Sequence, residues 1–502
     1  MDRFHRRQLL LSLKSGTIEA CFSVPMLQLT LGHMPFAIGF AVEALGWRAR
    51  GIGLLAATPF FVYVLQVPIP LALQRRFSLH SIVRGAFVVN ATPWFLVIAF
   101  PALASWQRDV LFAAISLISA GANAVCAVAW SSAMSDLVPA AIRGRYFGRR
   151  NLIYGFWTLV GLLAAGQVAD WTHNSLVAFG GIFAIAAVSR LIGLFYFSRM
   201  VFPERVMRCQ PQPVQWEEIV GPLRDRNARR LLAFHGLFGL FLFMGLPFYS
   251  VFALRGLGFS LGTLTVLTTL ANLAGLVSVS TWAPLCDRFG VKPVMTWSMT
   301  LWTLLAAGLW LVTGTQWRSG VYPSFVVYGF MWTLFQLLQF NFMLKMAPRT
   351  HPTSFISTFF ATTYLFWLLG PILGGHVLAH LPEVCGHPLG APLTRFHVVF
   401  VGSMALCLAT LLLILRRVHE PDAASVRDLA RHLRSSADAN PLLFLVSAAQ
   451  ELFGQRAIES LLRRSRHHVR RQTMALADIG ADLAGEGWRT LRRPLHQRSH
   501  RR

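Results

Sequence analysis

The chain has 502 residues, 55% of them hydrophobic and only 13% charged, with 39 Phe and 15 Trp and a mean hydropathy of +0.52. Ordinary soluble domains carry roughly a quarter charged residues. The same chain holds 46 Lys and Arg against 21 Asp and Glu, a formal net charge of +25; a soluble nucleic-acid binder could not keep so much apolar surface from water, so the charge has to follow from membrane topology.

The first residues, Met1-Asp2-Arg3-Phe4-His5-Arg6-Arg7, lead into an apolar run. It extends from Ser15 to about Phe40, holds Glu19 and lacks a small-x-small cleavage site, so it reads as a retained first membrane helix and not a signal peptide. Further runs long enough for a bilayer, roughly 17–25 residues each, complete the set 15–40, 51–72, 81–103, 109–133, 151–172, 175–198, 230–254, 259–284, 293–314, 320–345, 355–379 and 395–416. Twelve spans are predicted, and the fold class is an all-α integral membrane protein.

Orientation follows from Lys and Arg, which favour the cytoplasmic side. Of these residues 22 lie in or within four residues of the N-terminal stretch and the gaps after spans 2, 4, 6, 8 and 10, whereas the opposite gaps and their edges hold 6: Arg48, Arg50, Arg108, Arg255, Arg318 and Arg395. Both termini are therefore expected in the cytoplasm, with the protein in a cytoplasmic (inner) membrane. The polar gap with Pro203, Pro211, Pro213 and Pro222 divides the spans six and six. The expected organisation is a bundle over 1–198, a linker over 199–229, a second bundle over 230–416 and a basic cytoplasmic tail over 417–502. Pro139, Tyr146 and Gly161 fall on Pro348, Phe355 and Gly370 at a spacing of 209, and Arg76-Phe77 falls on Arg288-Phe289 at 212, which points to a duplicated unit.

At the end of span 8 the chain reads Ala283-Pro284-Leu285-Cys286-Asp287-Arg288-Phe289-Gly290-Val291-Lys292. This resembles the loop signature G-x-L-x-D-R-x-G-x-[KR] of the major facilitator superfamily, matching at Leu285, Asp287, Arg288, Gly290 and Lys292 and departing at Ala283. The copy between spans 2 and 3 is degraded, with Arg75 in place of the acid and Ser78 in place of the glycine. The resemblance implies two pseudo-symmetric six-helix bundles around a midplane cavity. It also implies that Asp287 faces the basic segment between spans 4 and 5, with Arg143, Arg145, Arg149 and Arg150, and that a salt bridge there holds the cytoplasmic side shut in the outward-facing state. The start of span 11, Thr350 to Ser354, offers no acid to Arg75.

Charges near a bilayer centre cost at least about 2.5–3.5 kcal/mol each, so deep polar residues are the candidates for function. They are Glu19 and Gln28 in span 1, Asn123 in span 4, Arg190 in span 6, His235 in span 7, Asn272 in span 8, and Gln336, Gln339 and Asn341 in span 10. All but Arg190 are on spans that the resemblance places around the cavity. Glu19 reads either as a proton-coupling carboxylate or as an ion-paired structural acid, and His235 as a proton partner or a packing histidine. Arg190, about eight residues from the cytoplasmic end of its span, can snorkel and reads as structural. Gln336 and Gln339, one turn apart, are expected on one helix face. Gly370-Pro371-Ile372-Leu373-Gly374-Gly375 in span 11 reads as a packing element.

The six cysteines form no CxxC pair, no metal site is expected, and the chain lacks nucleotide-loop, HExxH and nucleophile-elbow motifs, so no cofactor is expected. The resulting expectation is a secondary transporter and not an enzyme: a monomer that carries a small solute by alternating access, coupled to protons, in uptake or drug efflux. The alternative from another class is a lipid-modifying enzyme or a non-transporting scaffold. The arginine-rich tail is expected to meet anionic lipid headgroups and not nucleic acid, with Pro441–Val446 and Ala457–Leu462 as short amphipathic stretches.

Overall fold

The computed structural model describes residues 3–66, 68–208, 223–348, 352–387, 392–421 and 423–435. Much of the expected linker, the start of span 11 before Pro352, Cys209 and the two amphipathic stretches of the tail lie outside the described residues.

Among the described residues, ten helices are long and apolar enough to cross a membrane. They are spans 3 (Leu79–Ala102), 4 (Ser105–Leu137), 5 (Ala140–Trp171), 6 (Leu176–Ser198), 7 (Arg226–Gly256), 8 (Leu261–Phe289), 9 (Val291–Val312), 10 (Val321–Met346), 11 (Pro352–His380) and 12 (Arg395–Leu413). Span 1 is a helix pair, Arg3–Thr30 and Pro35–Glu43, bent by 44° where Pro35 starts the second piece. Span 2 is the 16-residue apolar helix Ala49–Val64, followed by Pro68–Gln74. Together these make twelve spans in two six-helix bundles.

Sequence chemistry sets many of the helix starts. Ser78, Ser175, Asp225 and Ser260 cap spans 3, 6, 7 and 8, each accepting a hydrogen bond from the backbone N–H three residues on. Proline and glycine set the breaks. Pro93 and Pro101 lie in the 3-10 stretch that ends span 3. Gly290 at φ +91 is the single-residue reversal between spans 8 and 9. Between spans 11 and 12 a short hairpin pairs Val384 with Thr394 and Gly386 with Leu393.

The helices outrun the apolar runs at one place that matters. Span 4 continues to Leu137 and span 5 begins at Ala140, so Arg143, Arg145, Arg149 and Arg150 stand on a helix and not in the loop expected from hydropathy. Hydropathy reports contact with lipid, whereas arginine is a good helix former and continues the helix beyond that contact.

Each bundle is packed around aromatic residues. In the first, Phe40 meets Phe112, Phe179 and Phe183, and the buried Trp94 donates its indole N–H to Ser119 at 2.9 Å. In the second, Trp310 meets Tyr249 and Phe400. Large side chains such as Leu152, Trp171 and Ile185 are exposed on the outside, as expected of a surface that faces lipid.

The membrane unit runs to Val426, beyond the expected boundary at 416. Val426–Ser435 is a further helix in which Arg431 pairs with Asp428 at 2.6 Å.

Candidate functional site

Span 1 begins and span 12 finishes at one end of the molecule, here the terminal end; the other is the far end. Two polar contacts between the bundles belong to the far end. Arg255 donates to the Val42 carbonyl at 3.0 Å, and Arg50 lies 3.0 Å from His380 Nε2. Span 2 lies along span 11 and span 5 along span 8. Glycine permits this approach, since a Cβ on Gly53 would collide with the Pro371 carbonyl and one on Gly375 would crowd the Ala49 carbonyl. Gly370 and Gly374 sit equally close to span 7, so the glycines of the GPxxGG segment permit helix packing.

Below this closure an aromatic layer crosses between the bundles at mid-depth. Phe60 of span 2 contacts Phe243 of span 7 and Trp367 of span 11, with ring centroids 4.5 and 5.8 Å apart. Tyr63 meets Tyr364 at 5.2 Å, and Trp332 meets Phe243 at 5.4 Å. Each such pair contributes about 0.5–1.5 kcal/mol beyond burial. The arrangement is sealed by these contacts at the far end and at mid-depth.

Polar candidates adjoin this layer. The Tyr154 hydroxyl meets the Gln28 amide between spans 5 and 1, and the Tyr63 hydroxyl meets Asn123 between spans 2 and 4. Asn272 is exposed and Asn341 half-buried. The two glutamines separate: Gln336 is exposed, whereas Gln339 is buried and its Oε1 has no hydrogen-bond partner among the described residues. The expectation of a shared face is corrected here, because residues three apart differ by about 60° around a helix of 3.6 residues per turn, enough to move Gln339 from the exposed stripe into the packed one.

Glu19 is 2% exposed and sits in the first bundle as half of a buried ion pair. Arg150 Nη2 donates to Glu19 Oε2 at 2.9 Å, Ser23 Oγ donates to Glu19 Oε1 at 2.6 Å, and Arg150 Nε donates to the Gly16 carbonyl at 3.2 Å. The same guanidinium lies over the Trp130 ring, 4.2 Å from its centroid. Spans 1, 4 and 5 are thereby joined around one carboxylate.

Arg190 does not snorkel. It is 3% exposed, lies 3.7 Å over the Phe87 ring and donates to Cys126 Sγ at 3.4 Å. A planar guanidinium can stack on an aromatic face, and here it does so inside the bundle, with its Nε left without a hydrogen-bond partner among the described residues. His235 is fully buried in the second bundle. Its Nδ1 is 3.1 Å from the Leu231 carbonyl, Nε2 is unpartnered among the described residues, and Phe234, Phe335, Phe342 and Phe359 surround the ring.

The family-like loop serves a contact that the sequence did not point to. Glu420, just past span 12, accepts the backbone N–H groups of Val291 and Lys292 at 2.9 and 2.6 Å and pairs with Lys345 Nζ at 2.7 Å. It thus caps span 9, where free N–H groups and the helix dipole favour a carboxylate. Lys292 Nζ donates to the Arg416 and Val418 carbonyls, and Asn227 exchanges two hydrogen bonds with His419. Residues 416–420 are therefore part of the second bundle and not of a free tail. The one available signal was an acid beside proline, Glu420-Pro421, in an arginine-rich stretch.

The salt bridge expected across the bundles is not formed. Asp287 and Arg149 are exposed, Arg150 is taken by Glu19, and Arg143 instead donates to the Ser135 and Val138 carbonyls at the end of span 4. Arg145 is exposed, as is Arg288, whose guanidinium lies 5.2 Å from the Phe289 ring centre. The reason is geometric, since the bundles meet at the other end. Of the segment expected opposite Arg75, Thr350 and His351 lie outside the described residues. Cys21, Cys126, Cys286, Cys385 and Cys407 are free thiols.

Comparison with known proteins agrees with this architecture. The sequence profile of the Major Facilitator Superfamily matches residues 20–351 and 231–493. The chain belongs to the major facilitator superfamily and is a multi-pass membrane transporter. Among solved structures it is similar to a point mutant of the nucleoside transporter NupG, at 13% identity over 81% of this chain and 99% of that one, with a TM-score of 0.66. It is likewise similar to the inward open xylose transporter XylE from E. coli, at 10% identity over 84% and 98%, TM-score 0.57. A bacterial homologue of the human drug peptide transporters PepT1 and PepT2 aligns at 13% identity over 85% and 99%, TM-score 0.58. At these identities the likeness is one of fold. The sequence matches none of the curated proteins with which it was compared.

Proposed function

We propose that this protein carries a small solute across the cytoplasmic membrane by rocking its two bundles, that both termini are cytoplasmic, and that protonation of Glu19 couples transport to a proton gradient. The supporting observation is the buried pair of Glu19 with Arg150, which joins spans 1 and 5 of one bundle. Removing either partner of such a pair leaves the other buried without compensation, so the pair ties the position of span 5 to the charge on span 1. Gln28, Asn123, Asn272, Gln336 and Asn341, with the aromatic layer, supply neutral contacts to the solute. Gln339 and His235 support the second bundle from inside.

In the opposite state the terminal end closes, and Asp287 then reaches Arg149 or its neighbours to hold it shut. Residues 199–229 link the bundles, and the arginines beyond 426 lie against anionic headgroups. The deciding measurement is uptake into proteoliposomes under an imposed pH gradient with a panel of solutes. The parent is expected to respond to the gradient and Glu19→Gln to lose that response while retaining exchange. An unchanged response in the variant removes Glu19 from coupling. Asp287→Asn is expected to slow transport several-fold, and an unaltered rate removes the gating role.

A further inference from the structure

The far end is the cation-poor end of the chain. Its loops carry six arginines, and four of them, Arg48, Arg50, Arg255 and Arg395, line a single cavity of about 850 Å³ between the bundles. That volume falls within the range of small-molecule sites, roughly 300–1,000 Å³. Among the described residues Glu383 is the one acid of the lining; it is 3.8 Å from Arg395, and its side chain is 86% exposed. Glu43 faces Arg255 from outside the lining. The cavity wall therefore holds four guanidinium groups against one outlying carboxylate.

Topology does not require this clustering. Arginines spread around the rim would serve orientation equally well, whereas gathering them sets like charges against one another unless an anion lies between. Two helix starts add to the field: Ala49 and Arg50 open span 2, and Arg395, Phe396 and His397 open span 12, all on the cavity wall. The Arg395 backbone N–H is taken by the Glu383 carbonyl at 3.2 Å, but the positive dipole ends of both helices favour negative charge at the same place. The wall is built to stay in position. His397 is 2.8 Å from the Thr313 carbonyl through Nε2 and 2.7 Å from the Thr394 hydroxyl through Nδ1. Arg255 and Arg50 are fixed by their contacts to Val42 and His380 across the bundle boundary.

We propose that this cavity is an anion-binding vestibule that takes a small soluble organic anion carrying carboxylate or phosphate groups. Arg48 and Arg50 belong to the first bundle and Arg255 and Arg395 to the second, so the site is complete only while the far end is closed. An anion held there bridges the bundles and, by linkage, stabilises that closed state. The proposal needs the bundles to move relative to one another but is independent of Glu19 as the coupling group, so either can fail without the other.

The test uses the purified full-length chain in lipid-free detergent micelles, with citrate and inorganic phosphate as probes and glucose as neutral control. Citrate or phosphate is expected to bind saturably by calorimetry and to raise Tm, glucose to do neither, and the double variant R48Q/R395Q to weaken binding at least tenfold. The variant's own Tm and gel-filtration profile, matching the parent without ligand, show that it is folded. Absence of saturable binding of both anions overturns the proposal, as does binding unchanged in the double variant. A parallel arm in nanodiscs separates the lipid source: a rise in Tm that appears only with phosphatidylglycerol, and with neither soluble anion, overturns it in favour of a headgroup.

Discussion

The two bundles share a fold but differ in what they bury. The first encloses Glu19, Arg150 and Arg190 among its spans. The second encloses a neutral set, His235 inside four phenylalanines and Gln339 against the same core, and keeps its charged pair of Glu420 with Lys345 at the terminal end. A buried ion pair contributes little net stability but is costly to break. The first bundle is therefore the one in which separating a charged pair changes free energy inside the membrane. The second is a rigid counterpart whose ionic contacts fasten the chain after span 12 beneath it.

The strongest way to break this comparison is Arg150→Met. It leaves Glu19 buried without its cation, and about 3–5 kcal/mol of stability should be lost, seen as a large fall in Tm. Pairing it with Glu19→Gln should recover most of that loss; no recovery in the double variant means that the two side chains are not energetically joined. Next in size is Glu420→Ala in the second bundle. It removes two charge-assisted hydrogen bonds and an ion pair, a loss of about 2–3 kcal/mol, and should make the 416–426 segment sensitive to added protease. Protection equal to that of the parent would show that the other contacts of this segment suffice.

Gly53→Val probes the boundary between the bundles. The added side chain has no room against Pro371, so the population should shift away from the far-closed state, and a cysteine placed at Thr58 should label faster from the far end. Labelling at the parental rate would mean that the glycine contact does not set the closure. The smallest effect is expected from His235→Phe, which enters an aromatic surround and loses only a hydrogen bond within its own helix; Tm should correspond to a change within about 1.5 kcal/mol, with transport retained. Loss of transport in this variant, at parental Tm, would erase the distinction between a bundle that buries charge and one that does not.

Much of the frame was legible because its signals are local. Runs of about twenty apolar residues, the six-and-six division and the loop from Leu285 to Lys292 lie in consecutive sequence. Glu19 stood out for the same reason, as a carboxylate within an apolar run. Its partner did not, because Arg150 is 131 residues away and hydropathy placed it in a loop. The adjacent residues 416–420 misled in the opposite sense. Their arginines matched the tail, and only the folded bundle brings Glu420 to the start of span 9, more than 120 residues earlier.

By itself, then, the sequence determined the membrane class, the number of spans, the side on which cations gather and the family, since each is written in composition, periodicity or a contiguous motif. Only the tertiary structure decided which charges meet, which end is closed, that Gln336 and Gln339 part, and that Arg48, Arg50, Arg255 and Arg395 line one cavity. These depend on helix rotation and on contacts between distant spans. A rotation of 60° or one turn of sliding leaves an apolar pattern almost unchanged but replaces every polar neighbour.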